Sequence, residues 1–146
     1  MGRMGARGII EHDGKFFLVR NVVSPDFWCL PGGGIEEGED ILTAISRELI
    51  EETGITPDVG NLIYVHQIKG PEGYGTPEFI FHIKNGQDYI DFDITTTTHG
   101  EAELAEAAFV DISTVTVLPK FLKTELPALA NKGFDLSTQF RLSEWS

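Results

Sequence analysis

The 146-residue chain reads as an α/β protein. Three observations predict this. Short runs of β-forming residues recur along the chain, one segment among them switches to helical periodicity, and glycine-rich turns separate the two kinds of element. A chain of this length folds as one domain and buries roughly two-thirds of its unfolded surface, so residues 1–146 are read as a single unit. An apolar fraction of 41%, with ten Phe and only seven Pro, excludes disordered, collagen-like and disulfide-scaffold classes.

Gly8 to Glu11 and Lys15 to Arg20 are strand-like runs separated by His12-Asp13-Gly14, a hairpin signal in which Asp-Gly supplies positive φ. Pro25 to Leu30 is aromatic and extended, and Pro31-Gly32-Gly33-Gly34 is expected to interrupt regular structure. From Glu39 to Thr53, Ile41, Leu42, Ala44, Ile45 and Leu49 form one apolar stripe. Acids open that helix and Gly54 suits its C-terminal left-handed residue. Leu62 to Ile68 and Glu78 to Ile83 are expected as paired strands joined by the Gly/Pro-rich loop 70–77. A short strand is expected at Tyr89 to Phe92, a loop over 95–103, and a strand at Ala107 to Asp111. Pro119 suits the first turn of a helix running to about Ala130, which Pro127 should kink or divide. The tail from Phe134 shows no clear period.

With 23 Asp and Glu against 11 Lys and Arg, the chain carries a net charge of −12. Basic patches are required to hold nucleic-acid backbones or anionic membranes, so long nucleic acid and membranes are not expected as partners. The charge is uneven, since Glu36 to Glu52 holds seven acids and one base and so half of the total. Cys29 is the only cysteine, which excludes an intrachain disulfide and a cysteine-based zinc cluster. A reducing compartment, the cytoplasm, is expected. No stretch approaches the 18 apolar residues of a membrane span, and the N-terminus lacks the apolar region of a signal peptide.

Spacing gives the acids a chemical reading. Glu48, Glu51 and Glu52 stand at i, i+3 and i+4, so their carboxylates leave one side of the helix, opposite the apolar stripe. Three carboxylates beside a glycine turn with exposed carbonyls form an oxygen-only donor set, suited to hard cations such as Mg²⁺ or Mn²⁺. Cations recruited there would in turn hold phosphate.

Gly33, five residues, Glu39, seven residues, and then Arg47-Glu48-Leu49-Ile50-Glu51-Glu52-Thr53-Gly54-Ile55 resembles the box of the Nudix hydrolases at every specified position. Trp28-Cys29-Leu30-Pro31-Gly32-Gly33 is similar to that family's lead-in. The resemblance implies a mixed β-sheet sandwiched between helices, an α/β/α sandwich. It also implies hydrolysis of a nucleoside diphosphate linked to another moiety, so the expected partner is a small nucleotide; the oligomeric state stays open, a homodimer among the alternatives. By position, Glu48, Glu51, Glu52 and the carbonyl of Gly32 resemble the metal ligands, while Glu39 and Arg47 resemble a pair bracing loop against helix. The general base comes from the helix or from a later acidic loop, where Glu103 is preferred and Glu106 and Glu101 follow.

Trp28 and Phe27 read either as core at a strand end or as a wall on which a base stacks, with Arg20 as a further substrate contact. His12, His66, His82 and His99 share no ligand spacing and read as structural or surface residues. Cys29 reads as a small buried residue. Within the family, Pro71, 16 residues beyond Ile55, accompanies ADP-ribose activity, whereas the early start of the first hairpin resembles compact members acting on nucleoside triphosphates, damaged ones included. A silent nucleotide-binding module on the same fold, or a calcium-binding acidic module, would share the acids without turnover.

Overall fold

The computed structural model describes residues 3–94 and 104–144. Strands β1 (Gly5–His12) and β2 (Lys15–Asn21) form the expected hairpin, and Asp13 and Gly14 take φ of 50° and 78°, the positive pair a two-residue turn requires. The strands pair only beside that turn, at Glu11 with Phe16 and His12 with Lys15. Beyond it they diverge. β1 runs parallel to β6 (Glu78–Ile83) and β2 antiparallel to β7 (Leu104–Val110).

The chain from Cys29 fills this fork. Val19 and Cys29 exchange backbone hydrogen bonds of 2.9 Å, and the Gly8 amide donates to the Pro31 carbonyl at 2.9 Å. Gly32–Gly34 then pairs with Gly5 to Arg7 as the short strand β3. The expectation that no regular element persists there is corrected for a steric reason. A Cβ on Gly32 would lie 2.1 Å from the Ala6 carbonyl oxygen, so the glycines that break structure elsewhere are what allow this strand to fit.

The rest of the sheet is built from β4 (Val59–Gly70), the two-residue β5 (Gly73–Tyr74) and β8 (Gln139–Glu144). The order is β5-β4-β6-β1-β2-β7, with β3 on β1 and β8 parallel to β4. Residues alternate between its faces. Ile10, Phe17, Val19 and Phe81 pack with Ala44, Ile45 and Leu49 of α1 (Ile41–Thr53). Ile9, Phe16, Leu18 and Ile80 pack with Leu122 and Leu126 of α2 (Leu122–Lys132) on the other face. A mixed sheet thus lies between two helices, as the resemblance implies.

Several boundaries differ from the sequence expectation. α1 begins two residues later than expected because Asp40 is its N-cap, accepting from the Thr43 amide at 2.9 Å. Gly54 closes it at φ 75°, donating to the Ile50 carbonyl at 2.7 Å. Instead of a strand at Tyr89 to Phe92, a 3₁₀ turn occupies Gly86–Tyr89, and Tyr89, fully buried, packs its ring on Phe17. α2 starts at Leu122 rather than Pro119 and continues through Pro127 without dividing. The tail forms β8, whose alternation is inverted. Phe140 and Leu142 point to solvent while Gln139, Arg141 and Ser143 are half-buried, so no apolar-inward period marks it in the sequence.

Arg47 braces α1 against the chain before it. Its Nε and Nη2 donate to the two carboxylate oxygens of Glu39 at 2.7 and 2.9 Å, and Nη2 also donates to the Gly34 carbonyl at 3.0 Å. Those Arg47 hydrogen bonds, with one from the Glu36 amide, pull the Glu39 carboxyl down from 4.5 to about 2. A carboxylate so depressed contributes stability that is present above pH 4.5 and lost as pH falls toward 2. Glu39→Gln should therefore melt at a lower temperature than the wild type at neutral pH, with the gap narrowing between pH 4.5 and 2. Melts across that range check this, and a gap independent of pH would exclude Glu39 as the titrating brace.

Candidate active site

The three helix carboxylates meet the glycine strand from α1. Glu52 is 4% exposed, and its Oε1 accepts from the Gly32 amide at 2.6 Å. Glu48 lies over Gly33, where a Cβ would stand 2.5 Å from its carboxylate carbon. Side chain and backbone thus come together where only glycine fits. Glu51, one turn from Glu48 and more open to solvent, accepts from Arg47 Nη1 at 3.2 Å. The same nitrogen donates to Glu48 Oε1 at 3.0 Å, so one guanidinium faces Glu39, Glu48 and Glu51 together. Hydrogen bonds to Glu39 above all, then to Glu48, raise the Arg47 pKa and keep it charged.

Among the described residues no three His, Cys, Asp or Glu side chains converge on a single point. The donors nonetheless suit a hard cation. They are all oxygen, and Arg47 Nη1 already sits within 3.2 Å of both Glu48 and Glu51, which shows that positive charge is accommodated between them. Glu48, Glu51, Glu52 and the Gly32 carbonyl are the groups that could hold the ion.

Of the other expected site residues, those described fall in two places. Glu103 and Glu101 lie outside the described residues, as does His99. Glu106 forms an ion pair with Arg20 at 2.8 Å, and its strand neighbours Ala107 and Phe109 pack toward the α1 face, so Glu106 is directed to the opposite side from the helix carboxylates. Arg20 also lies over the Trp28 ring, 5.4 Å from its centroid. Trp28 is tied by backbone bonds to Thr116 and Leu118 and packs against the α2-side core. Phe27 is separate from that pair and lines a cavity of about 450 Å³.

This cavity borders the segment leading into the glycine strand, at Cys29 and Leu30, and sequence reasoning missed its polar floor. Arg7 of β1 donates from Nη1 to the Leu30 carbonyl at 3.0 Å and to that of Gly32 at 3.5 Å. Its Nε faces Glu78 of β6 at 3.4 Å. The other Glu78 oxygen is 2.8 Å from His66 Nδ1, and His66 Nε2 is 2.7 Å from the Ser143 hydroxyl. Arg7, Glu78 and Ser143 line the cavity together with Phe27 and Phe121. Its volume and mainly apolar wall suit a small-molecule site. The only sequence signal would have been the charged Arg7 and Glu78 in otherwise apolar runs, and their meeting depends on the parallel pairing of β1 with β6. Cys29 lines the same cavity, and burial pushes its thiol pKa up.

No helix among the described residues is long and apolar enough to cross a membrane. A relative from Methanocaldococcus jannaschii named ADP-ribose pyrophosphatase is 41% identical over 71 residues, 46% of this chain and 42% of its own length. An RNA pyrophosphohydrolase from Rhodospirillum rubrum is 39% identical over 70 residues, 48% of this chain and 40% of its own. The matches thus span less than half the length of these curated relatives. Among solved structures, a UDP-X diphosphatase superposes with a TM-score of 0.67 at 26% identity, covering 97% of this chain and 67% of that one. The NUDIX domain model matches residues 2–131, taking in the glycine strand, the carboxylate helix and most of α2, and the chain belongs to the NUDIX domain family.

Proposed function

We propose that this protein is a divalent-metal-dependent hydrolase that cleaves the pyrophosphate linkage of a nucleoside diphosphate derivative and releases a nucleoside monophosphate. The observation that carries the reading is Gly32. Its amide is held by the buried carboxylate of Glu52 and its carbonyl faces Arg7 at the cavity floor. A cavity of nucleoside size therefore stands next to an oxygen-rich helix, as cleavage at a diphosphate beside a bound nucleoside requires.

In this reading Glu48, Glu51, Glu52 and the Gly32 carbonyl hold Mg²⁺, or Mn²⁺. When bound, the ion neutralises diphosphate charge and acidifies the attacking water. The chain's own groups supply the remainder. The Gly32 amide fixes Glu52 at the glycine strand through Oε1. Arg47 stays charged and limits repulsion among Glu39, Glu48 and Glu51. A carboxylate that is not a ligand must take the proton from water. Glu103, directly before β7, is our assignment, because Glu106 is engaged by Arg20 on the other face.

A nucleoside triphosphate, including a damaged one, is the first substrate reading. A second is ADP-ribose or a nucleotide sugar, supported by the name of the Methanocaldococcus jannaschii relative and by Pro71 at the β4–β5 turn. A cytoplasmic location belongs to the same proposal, and the lone cysteine supports it.

Incubation with dNTPs, oxidised dNTPs, ADP-ribose, nucleotide sugars and dinucleoside polyphosphates should give Mg²⁺-dependent nucleoside monophosphate from at least one, and chelation should stop it while the protein stays folded. Silence across that panel with both Mg²⁺ and Mn²⁺ would remove the hydrolase reading. Glu52→Gln keeps an acceptor for the Gly32 amide, so its melting curve should stay near wild type while turnover drops by about 10²-fold or more; wild-type kinetics would take Glu52 out of the site. Glu103→Gln should lower kcat by roughly 10² or more, the range for loss of a general base. If Glu101→Gln or Glu106→Gln does this instead, the base lies there.

A further inference from the structure

The floor of the cavity carries a carboxylate whose surroundings narrow what can lie against it. Glu78 is partly buried, and two groups act on its charge. Burial alone would push its pKa up, but the His66 hydrogen bond and the Arg7 charge outweigh this and hold it below the usual carboxylate value. His66 is fully buried. In the neutral ring, Nδ1–H donates to the ionised acceptor Glu78, which leaves Nε2 to accept from the Ser143 hydroxyl. Phe121 packs edge-on against the same imidazole, with ring centroids 5.3 Å apart. Glu78 is thus fixed in position and in charge.

An ionised carboxylate offers about four lone-pair sites, and His66 and Arg7 use two of them. The remainder face the cavity, where Glu78 retains 22% exposure. Arg7 is turned to the same floor, with Nε directed at Glu78 and Nη1 at the Leu30 and Gly32 carbonyls. A flat ring against Phe27 and Phe121 that offers N–H donors would be held. Uracil, thymine and hypoxanthine present a carbonyl oxygen where cytosine or adenine carries its amino group, and at that position acceptor would face acceptor.

We propose that Glu78, oriented by His66 and Ser143, is a specificity-determining residue that selects nucleobases with an exocyclic amino group, adenine, cytosine and guanine, over the oxo bases uracil, thymine and hypoxanthine. The inference rests on the hydrolase reading only for where the base lies, and it assigns the heterocycle rather than the phosphate chain to the cavity. A site built around a buried hydrogen-bonding group rejects the analogue lacking its partner more strongly than an apolar pocket rejects a missing methylene.

Titration of the metal-free protein with nucleosides tests this apart from turnover. Cytidine should bind about tenfold or more tighter than uridine, and adenosine than inosine, the range of one hydrogen bond to a charged group. Affinities within twofold in both pairs, or no binding of any nucleoside at millimolar concentration, would overturn the proposal on wild-type protein alone. In Glu78→Gln, whose amide can donate to a carbonyl, the ratios should fall to about twofold or invert; unchanged ratios in a variant that melts like wild type would overturn the assignment to Glu78. With Mg²⁺ present, kcat/KM for CTP over UTP and ATP over ITP should follow the same order. Turnover without base preference would overturn the specificity inference and leave the hydrolase reading standing. Base-selective binding without turnover of any nucleotide would do the reverse.

Discussion

The close approach of backbone at Gly32 and Gly33 is the constraint on which the remaining structure depends. A side chain at Gly32 would collide with the β1 backbone, and one at Gly33 with the Glu48 carboxylate. Because neither has one, the segment from Cys29 can enter the fork between β1 and β2 and pair there as a strand. Beyond their turn β1 and β2 take different partners, β6 on one side and β7 on the other, and the fork lies between them. α1 can then lie low over the glycine strand, with Leu49 and Ile45 in the core and Glu48 and Glu52 reaching the backbone. Tight packing and polar reach come from one helix because apolar and acidic positions alternate around it at helical spacing.

That arrangement gives Gly32 two chemical faces. Its amide is taken by a carboxylate from the helix and its carbonyl lies near a guanidinium from β1. Arg7 in turn contacts Glu78, Glu78 contacts His66, and His66 contacts Ser143 on the edge strand β8. Polar groups from β1, β4, β6 and β8 are therefore connected up to the residue that touches the helix carboxylates. No buried side-chain polar atom lacks a partner among the described residues, which matters because half-satisfied networks are costly in a low-dielectric interior. Displacing Glu78 would take the acceptor from His66 Nδ1 and from Arg7 Nε, while Arg7 Nη1 still faces the Leu30 and Gly32 carbonyls, so the cavity floor and the glycine strand are held by shared interactions.

What could be read from the sequence follows from which interactions are local. The helix carboxylates, the Asp-Gly turn and the Gly54 cap are set by spacings of a few residues, and the structure places them accordingly, with Asp40 as cap shifting only the start of α1. The Glu39–Arg47 brace was legible only through a family pattern, because its eight-residue separation spans a loop as well as a helix turn. The cavity floor could not be read at all. Arg7 and Glu78 are 71 positions apart and His66 and Ser143 are 77 apart, and each pairing depends on strand order and register. β8 was hidden for a different reason, that its apolar residues face outward. Trp28 and Arg20 drew attention as an aromatic and a cation near the glycines, but the direction of a strand residue depends on register, and their register turns them toward each other.

The acidic balance of the chain takes on a specific meaning in this geometry. Arg47 is the one base between Glu36 and Glu52, and it lies within ion-pair distance of Glu36, Glu39, Glu48 and Glu51. A single guanidinium facing four carboxylates cannot cancel their charge, and Glu52 adds a fifth acid at the glycine strand. The folded protein therefore maintains a concentrated negative field on the face where a phosphate-bearing substrate would have to react. Hydrophobic packing of α1 makes this tolerable, since Ala44, Ile45 and Leu49 are fully buried beneath the acids. Repulsion between such surface charges is small per pair and screened by salt. A small nucleotide can bring enough cation to this short acidic stretch to approach it. A long nucleic acid cannot do so as readily, because it would need compensation along its whole length and the chain has no basic track to provide it. The same clustering of charge that disfavours polyanions is thus compatible with a compact phosphate ligand, and the distinction rests on length and local charge density rather than on the sign of the net charge.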